Sequence, residues 1–317
     1  MKIIKKLKQT SKPLVSVVMP VYNAGRFLSE AIDSILNQTY RKFEFIIIDD
    51  ASTDESWSVI KQYKRKYPKK IFAIRMAKNM NRGGDTCASE GIKRARGQYI
   101  ARMDADDISH PERLAKQVAY LQKHQDIFMV GSSAYVINGD GKRTGEKNMP
   151  TTNEAIYREY FTFHPMIHPT IMFRNGVVKQ KPFYKTVLPT NNDYYTFFEF
   201  ISKGLKFANM SEHLLHYRIY GKNDSLRHIK KSFLNTLRAR WSIYKTYGYP
   251  LDLRTVVQNL TQCAVVLLLP ESITYFIYLF ARKILDRQLL VAYLKEQLRF
   301  PSLVLQKARV FASVFMA

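Results

Sequence analysis

Two hydrophobic periods alternate along the first two thirds of the chain. Residues 14–22 (LVSVVMPVY) form a short valine-rich apolar run, the pattern of a strand buried on both faces. Residues 23–38 then place Phe27, Leu28, Ala31, Ile32, Ile35 and Leu36 at helical spacing behind Asn23, a suitable N-cap. A second strand is expected at 42–50 (KFEFIIIDD). A helix follows at 52–67, opened by a Ser52/Glu55 capping box. The same alternation gives a strand at 70–76, a helix at 83–96 and a strand at 98–104 (QYIARMD). The unit repeats about every thirty residues, which predicts a mostly parallel α/β sheet with helices on both faces.

The pattern then changes. A helix is expected at 111–124 with Pro111 in its first turn. Alternating strand positions follow at 128–138 before a turn at 139–143 (GDGKR). A strand at 168–174, a helix at 191–204 ending on glycine, and a strand at 213–220 complete the sheet. Beyond Gly221 the periodicity is helical only. Three regions result: a basic arm over 1–13, an α/β domain over 14–225, and a helical, basic, partly apolar region over 226–317.

Charge sharpens this division. The chain of 317 residues carries a net charge of +24, and residues 2–12 hold five lysines and no acid. From residue 201 onward there are 18 Lys and Arg against 6 Asp and Glu. Such an excess implies a polyanionic neighbour. The start lacks the apolar core of a signal peptide, which reads as cytoplasmic. Residues 264–281 are the most apolar stretch, but Pro270, Glu271 and Ser272 interrupt them. A buried helix pair and a helix lying in a membrane interface both fit this stretch better than a crossing. The two cysteines, Cys87 and Cys263, form no disulfide framework and no zinc spacing.

Against this basic background the acids stand at strand ends: Asp49 and Asp50 after the second strand, then Asp104, Asp106 and Asp107 after the fourth. In open parallel sheets ligands lie beyond the carboxyl ends of the strands, so both groups face one crevice. Asp104 and Asp106 alternate, which points both carboxylates to one side of an extended chain. A hard divalent cation, Mn²⁺ or Mg²⁺, relieves their repulsion and recruits substrate phosphate oxygens. A diphosphate-bearing donor fits such a pair.

The stretches VSVVMPVYNAGRFLSEAIDSILNQTY, FIIIDDASTDES, GIKRARGQYIARMDADD, HPTIMFR and NNDYY occur in the order and spacing of the family 2 glycosyltransferases, and the chain resembles that family from Val15 to Tyr220. The resemblance implies a GT-A fold and inverting, nucleotide-sugar-dependent transfer. It implies that Pro20, Val21 and Tyr22 line the nucleotide site and that Asp50 accepts a hydrogen bond from the base. Asp104 would contact the ribose or the metal, Asp106 would be the main metal ligand, and Asp193 the catalytic base. Asn192 stands where many relatives carry Glu. The arginine many relatives carry near residues 87–91 is missing, and Arg82 is the expected substitute facing the diphosphate. No Gln-x-x-Arg-Trp motif of processive synthases occurs, which implies addition of one sugar.

The expected donor is a UDP-hexose or UDP-N-acetylhexosamine. The expected acceptor is a glycan on a polyprenyl diphosphate carrier, used in O-antigen, capsule or other surface-polysaccharide assembly. The basic tail would hold the enzyme peripherally on the anionic inner face of the cell membrane. A catalytically inactive scaffold is the alternative, and a nucleotidyltransferase a more distant one, since PVYNAGR is no phosphate-cradling loop. Nucleic acid is not an expected partner: the acidic strand ends oppose it and no recognition motif occurs.

Overall fold

The computed structural model describes residues 12–80, 84–186, 191–220 and 229–270, together with Ile273, Thr274 and Ile277. Its centre is a sheet of nine strands flanked by helices. Strand β1 (Val15–Val21) and β2 (Phe43–Asp49) are buried at all seven positions, as apolar runs without alternation require. With β3 (Ile71–Arg75) and β4 (Tyr99–Arg102) they form a parallel half in the order β3-β2-β1-β4. Register sets the ends: Val21 pairs with Asp49 and Val18 with Arg102. The acids that follow β2 and β4 therefore leave the same edge of the sheet.

Helix α1 (Gly25–Leu36) buries the predicted apolar face, from Phe27 to Leu36. Helices α2 (Ser56–Lys66) and α3 (Asp85–Arg94) complete the crossovers. Gly91 lets α3 lie flat on the sheet: a Cβ there would sit 2.5 Å from Cγ1 of Val18. Past β4 the sheet turns mixed. Short β5 (Ile108–Ser109), α4 (Arg113–Lys123), β6 (Ile127–Ile137), β7 (Arg143–Lys147) and α5 (Asn153–Glu159) come next. β8 (Met172–Arg174), α6 (Asn192–Ser202) and β9 (Lys206–Arg218) follow. β8 runs antiparallel to both β4 and β6, whereas β9 runs parallel to β6. The parallel arrangement thus holds for the amino-terminal half, and its complement is antiparallel in four of five pairings around β6, β8 and β9.

Four local expectations differ from the structure, the first two because tertiary contacts claim the polar groups. The Ser52/Glu55 capping box does not form and α2 starts at Ser56. Ser52 Oγ instead accepts the Asn23 N–H and Asp54 accepts the Gly25 N–H, stapling the β1–α1 loop to the β2–α2 loop. Asn23 is not the N-cap of α1. It takes a left-handed φ of 49° and its side chain accepts the Thr53 N–H. Residues 168–170 are a 3₁₀ turn rather than the start of a strand. Pro111 also precedes α4 by two residues.

After the sheet, α7 (Ile229–Tyr247) packs on α6, and Ala239, Ile243 and Tyr249 join the aromatic core of Tyr194, Phe197 and Phe198. The aromatic residues of α6 are core. Helix α8 (Leu253–Leu268) lies against α7 and the segment after α5. No described helix is long and apolar enough to cross a membrane. Most of residues 1–13, and residues 278–281 of the apolar stretch, lie outside the described residues.

Candidate active site

Strand β4 delivers a cation before its acids. Arg102 is the last residue of the strand and is buried, with Nη1 2.8 Å from Oδ1 of Asp104. Asp104, Asp85 and Asp193 all act on it electrostatically and hold its pKa up although burial alone would lower it. Three carboxylates distant in sequence therefore converge on one guanidinium, whose Nε has no hydrogen-bond partner among the described residues. Close approach of α3 makes room for it. Gly84, at φ 81°, caps that helix where a Cβ would lie 3.2 Å from Pro20 and 3.7 Å from Arg102 Nη2.

Asp106 and Asp107 continue the loop. Burial first, then the Asp104 charge, pushes the Asp106 carboxyl up to about 6, although the Tyr220 hydroxyl donates to it. Asp107 is fully buried and raised further by burial and by Asp106; its Oδ1 accepts the Arg218 N–H at 2.8 Å. Arg218 in turn donates from Nε to the Asp106 carbonyl and from Nη1 to the carbonyls of Asn138 and Gly139, and pairs with Glu30 on α1. This arginine fixes the acidic loop rather than reaching toward a ligand. Arg113, buried beneath, donates to the carbonyls of Arg102 and Pro169 and so ties the end of β4 to the 3₁₀ turn.

That turn carries His168. Its Nε2 meets the Tyr184 hydroxyl at 2.7 Å and its Nδ1 lies 3.6 Å from Asp193 Oδ2. Burial lowers the His168 pKa to about 4, so the ring is neutral at ordinary pH. His164 Nε2 sits 3.0 Å from the same Asp193 oxygen, while its Nδ1 accepts the Met166 N–H. An accepting Nδ1 places the proton on Nε2, aimed at the carboxylate. Burial raises the Asp193 pKa, but His164 and His168 outweigh it and hold the carboxyl well below its usual range. Asp193 stands in the first turn of α6, behind Asn191 in a left-handed conformation at φ 61°.

Of the nucleotide-side residues, Pro20 and Val21 end β1 in buried positions and Tyr22 is half exposed beside them. Asp50 Oδ1 accepts the Met80 N–H at 3.0 Å, and the Cys87 thiol bonds to the same side chain. Asp49 is turned inward, pairing with Arg75 and accepting the Ser52 N–H, so it orients the loop. Trp57 packs on the helix face beneath Arg75. Arg82 lies outside the described residues. The structure thus gathers Asp104, Asp85 and Asp193 around Arg102, with Asp106 beside Asp104, and with Asp50 one residue away through Cys87, on which Arg102 also acts.

Four partners escaped the sequence reading. Arg102 left a signal, a cation inside an otherwise apolar strand, and so did Arg113, on the buried face of α4 with Leu114 and Val118. Asp85 left none. Burial, then the Asp193 charge, pushes its carboxyl well above the usual range, and it hydrogen-bonds Asn192, the residue standing where many relatives carry Glu. Tyr184, which holds His168, likewise carries no sequence mark.

Among the described residues no three-ligand cage of His, Cys, Asp and Glu exists. Asp104 and Asp106 offer two hard oxygen donors, and the raised Asp106 pKa records repulsion that a divalent cation would relieve. The donor set therefore fits Mn²⁺ or Mg²⁺ completed by ligands from a bound diphosphate.

The sequence profile of Glycosyl transferase family 2 matches residues 16–180. An uncharacterized glycosyltransferase of Methanocaldococcus jannaschii is 36% identical over 245 residues, which cover 75% of this chain and 83% of that protein. The O-antigen biosynthesis glycosyltransferase WbnJ of Escherichia coli is 31% identical over 218 residues, covering 66% of this chain and 81% of its own. Among solved structures, S. aureus TarS residues 1–349 in complex with UDP-GlcNAc superimposes with a TM-score of 0.55 at 18% identity, over 79% of this chain and 80% of TarS. The mannosyltransferase PcManGT of Pyrobaculum calidifontis, in complex with GDP-Man and Mn²⁺, gives 0.56 at 15% identity, over 97% and 82%. Both structures share the GT-A-type fold seen here. With the profile spanning just over half of its residues and relatives above 30% identity across most of their own length, the chain belongs to glycosyl transferase family 2.

Proposed function

We propose that this transferase is an inverting enzyme that moves one sugar from a nucleotide-diphosphate donor to a hydroxyl of a lipid-linked glycan in surface-polysaccharide assembly. The observation that carries the reading is Asp193, a buried carboxylate held ionised by His164 and His168, beside a guanidinium that also binds the Asp-x-Asp loop. Asp193 accepts the acceptor hydroxyl's proton as its oxygen attacks the anomeric carbon. His164 and His168 orient that carboxylate and leave one of its oxygens engaged. Arg102 holds Asp104 in place and adds a fixed positive charge near the leaving diphosphate. Asp104 and Asp106 would hold Mn²⁺ or Mg²⁺, which supplies Lewis-acid neutralisation of that diphosphate. Attack from the face opposite the leaving group inverts the anomeric centre.

Pro20, Val21 and Tyr22 form the wall on which the nucleoside lies, with Asp50 taking a hydrogen bond from the base. The bound UDP-GlcNAc of TarS favours UDP, and the name of WbnJ favours a surface-polysaccharide acceptor. A polyprenyl diphosphate carrier suits the basic character of the chain, net +24, and places the enzyme on the inner face of the membrane.

Nucleotide release from a panel of sugar nucleotides tests the reading, with Mn²⁺ and then with chelator, on wild type, Asp106→Ala and Asp193→Asn. One donor should be hydrolysed slowly by wild type, with loss on chelation and in Asp106→Ala. Transfer to a lipid-linked acceptor should fall about 10²–10⁴-fold in Asp193→Asn, the worth of a general base. Absence of binding and release with every donor would mark an inactive scaffold.

A further inference from the structure

Helix α8 is turned inside out. Its polar side chains face the protein: Asn259 donates to the Phe161 carbonyl, Gln262 donates to the Thr162 carbonyl, and Arg240 of α7 donates to both amide oxygens. Thr255 is buried on the same side. Most of its large apolar side chains face outward, while Val265 and Val266 are buried near its carboxyl end. Leu253, Val256, Val257, Leu260, Leu267 and Leu268 are all exposed, Leu253 at 80% and Leu268 at 73%. At about 100° per residue these six fall within roughly one third of the helix circumference, opposite Asn259 and Gln262. A soluble surface helix shows the reverse arrangement, and a contiguous apolar stripe of this kind marks an interaction surface.

We infer that this stripe is a docking face for an anionic lipid bilayer, on which α8 lies in the plane of the interface. Charge favours lipid. Between Ile229 and Leu268 there are six Lys and Arg and one acid, Asp252. Trp241 and Tyr244 are exposed on the neighbouring α7, side chains suited to the headgroup level. Length excludes a crossing: sixteen residues span about 24 Å, short of the hydrocarbon thickness. Docking by the hydrogen-bonded polar face keeps the helix on the protein, so only the stripe is free to enter lipid. The inference deepens the lipid-linked acceptor proposed above and rests on it for its purpose.

Flotation of the full chain with vesicles tests it. Vesicles of equal parts phosphatidylcholine and phosphatidylglycerol are compared with phosphatidylcholine alone, for wild type and for Leu260→Glu/Leu267→Glu. Both sites are exposed, and an unchanged thermal melt checks that the variant is folded; Leu260→Gln/Leu267→Gln replaces it if not. Wild type should float with the anionic vesicles, and partitioning should fall at least about tenfold in the variant, as loss of two inserted leucines requires. Equal flotation of both proteins, or none for wild type, overturns the inference. So does light scattering that finds a wild-type dimer broken by the substitutions, which would assign the stripe to a second copy. Donor hydrolysis is followed in parallel. Its absence with stripe-dependent flotation intact would fail the catalytic reading alone.

Discussion

Binding of a divalent cation should be governed by a single proton on Asp106. Its carboxyl is raised from the usual carboxylate range to about 6, by burial first and the Asp104 charge second. A shift of about two units corresponds to about 3 kcal/mol. The sign follows from linkage. A raised carboxyl binds its proton more tightly in the folded chain, so stability is fullest below pH 4 and declines as pH rises through 6. A cation on Asp106 removes that loss but must displace the proton. From pH 7 to pH 5 the ionised fraction falls about tenfold, and affinity for Mn²⁺ with UDP present should fall by the same factor. Titration calorimetry across that range gives the midpoint. Asp104→Asn removes the neighbouring charge and should move the midpoint down, alongside a general weakening from the lost ligand. Tyr220→Phe removes a hydrogen bond to the carboxylate and should move it up. An affinity flat between pH 5 and pH 7, or two variants moving the midpoint the same way, would refute the assignment of that proton to Asp106.

Other outcomes follow from the same contacts. Arg102→Met strands Asp104, Asp85 and Asp193 around an apolar side chain and should cost roughly 3–5 kcal/mol in urea denaturation. Asp85→Asn mimics the protonated acid that burial favours, so its stability relative to wild type should rise with pH in urea denaturation, and a relative stability that falls with pH would refute this. His168, lowered to about 4, takes up its proton more readily when unfolded; stability should fall by roughly 3 kcal/mol as pH drops from 6.5 to 4, and His168→Asn should flatten that slope in thermal melts. Gly97→Ala would place a Cβ 2.5 Å from the Ser16 backbone nitrogen and should cost roughly 1–3 kcal/mol.

Legibility in the sequence tracked the range of the contacts. β1 and β2 were readable because burial on both faces leaves an uninterrupted apolar run, and α1 because one face is buried along its length. Asp104 and Asp106 stood out as candidates because acids at strand ends have few packing uses, and Asp193 through the family resemblance. Their partners were not. Arg218 lies 111 residues from the Asp107 it serves, and His164 lies 29 residues from Asp193. The Ser52/Glu55 pattern misled for the same reason: Ser52 is spent on the β1–α1 loop. The stripe on α8 was visible as apolarity at residues 264–268, yet periodicity alone does not say which face looks inward. Asn259 and Gln262 decide that through carbonyls nearly a hundred residues away.

The concentration of acids in a basic protein has an electrostatic explanation once those partners are in place. Arg102 and Arg218 are buried against the Asp-x-Asp loop, and Arg113 is buried beneath the end of β4. Burial and neighbouring acids push the carboxyls of Asp85 and Asp107 well up, which favours their neutral forms. Arg102 then faces Asp104 and Asp193, and Arg218 is shared between the Asp106 carbonyl and Glu30, so the acids of the loop are only partly offset. A divalent cation would relieve the repulsion between Asp104 and Asp106, whereas a diphosphate, itself an anion, is repelled by the same acids unless a cation accompanies it. The two together arrive as a nearly neutral pair, each screening the other from the like charge already present. Cation and nucleotide should therefore bind with strong mutual enhancement, the affinity for each rising by the same factor when the other is bound. Because Asp106 is the group whose proton must leave, that enhancement should grow as pH rises through 6.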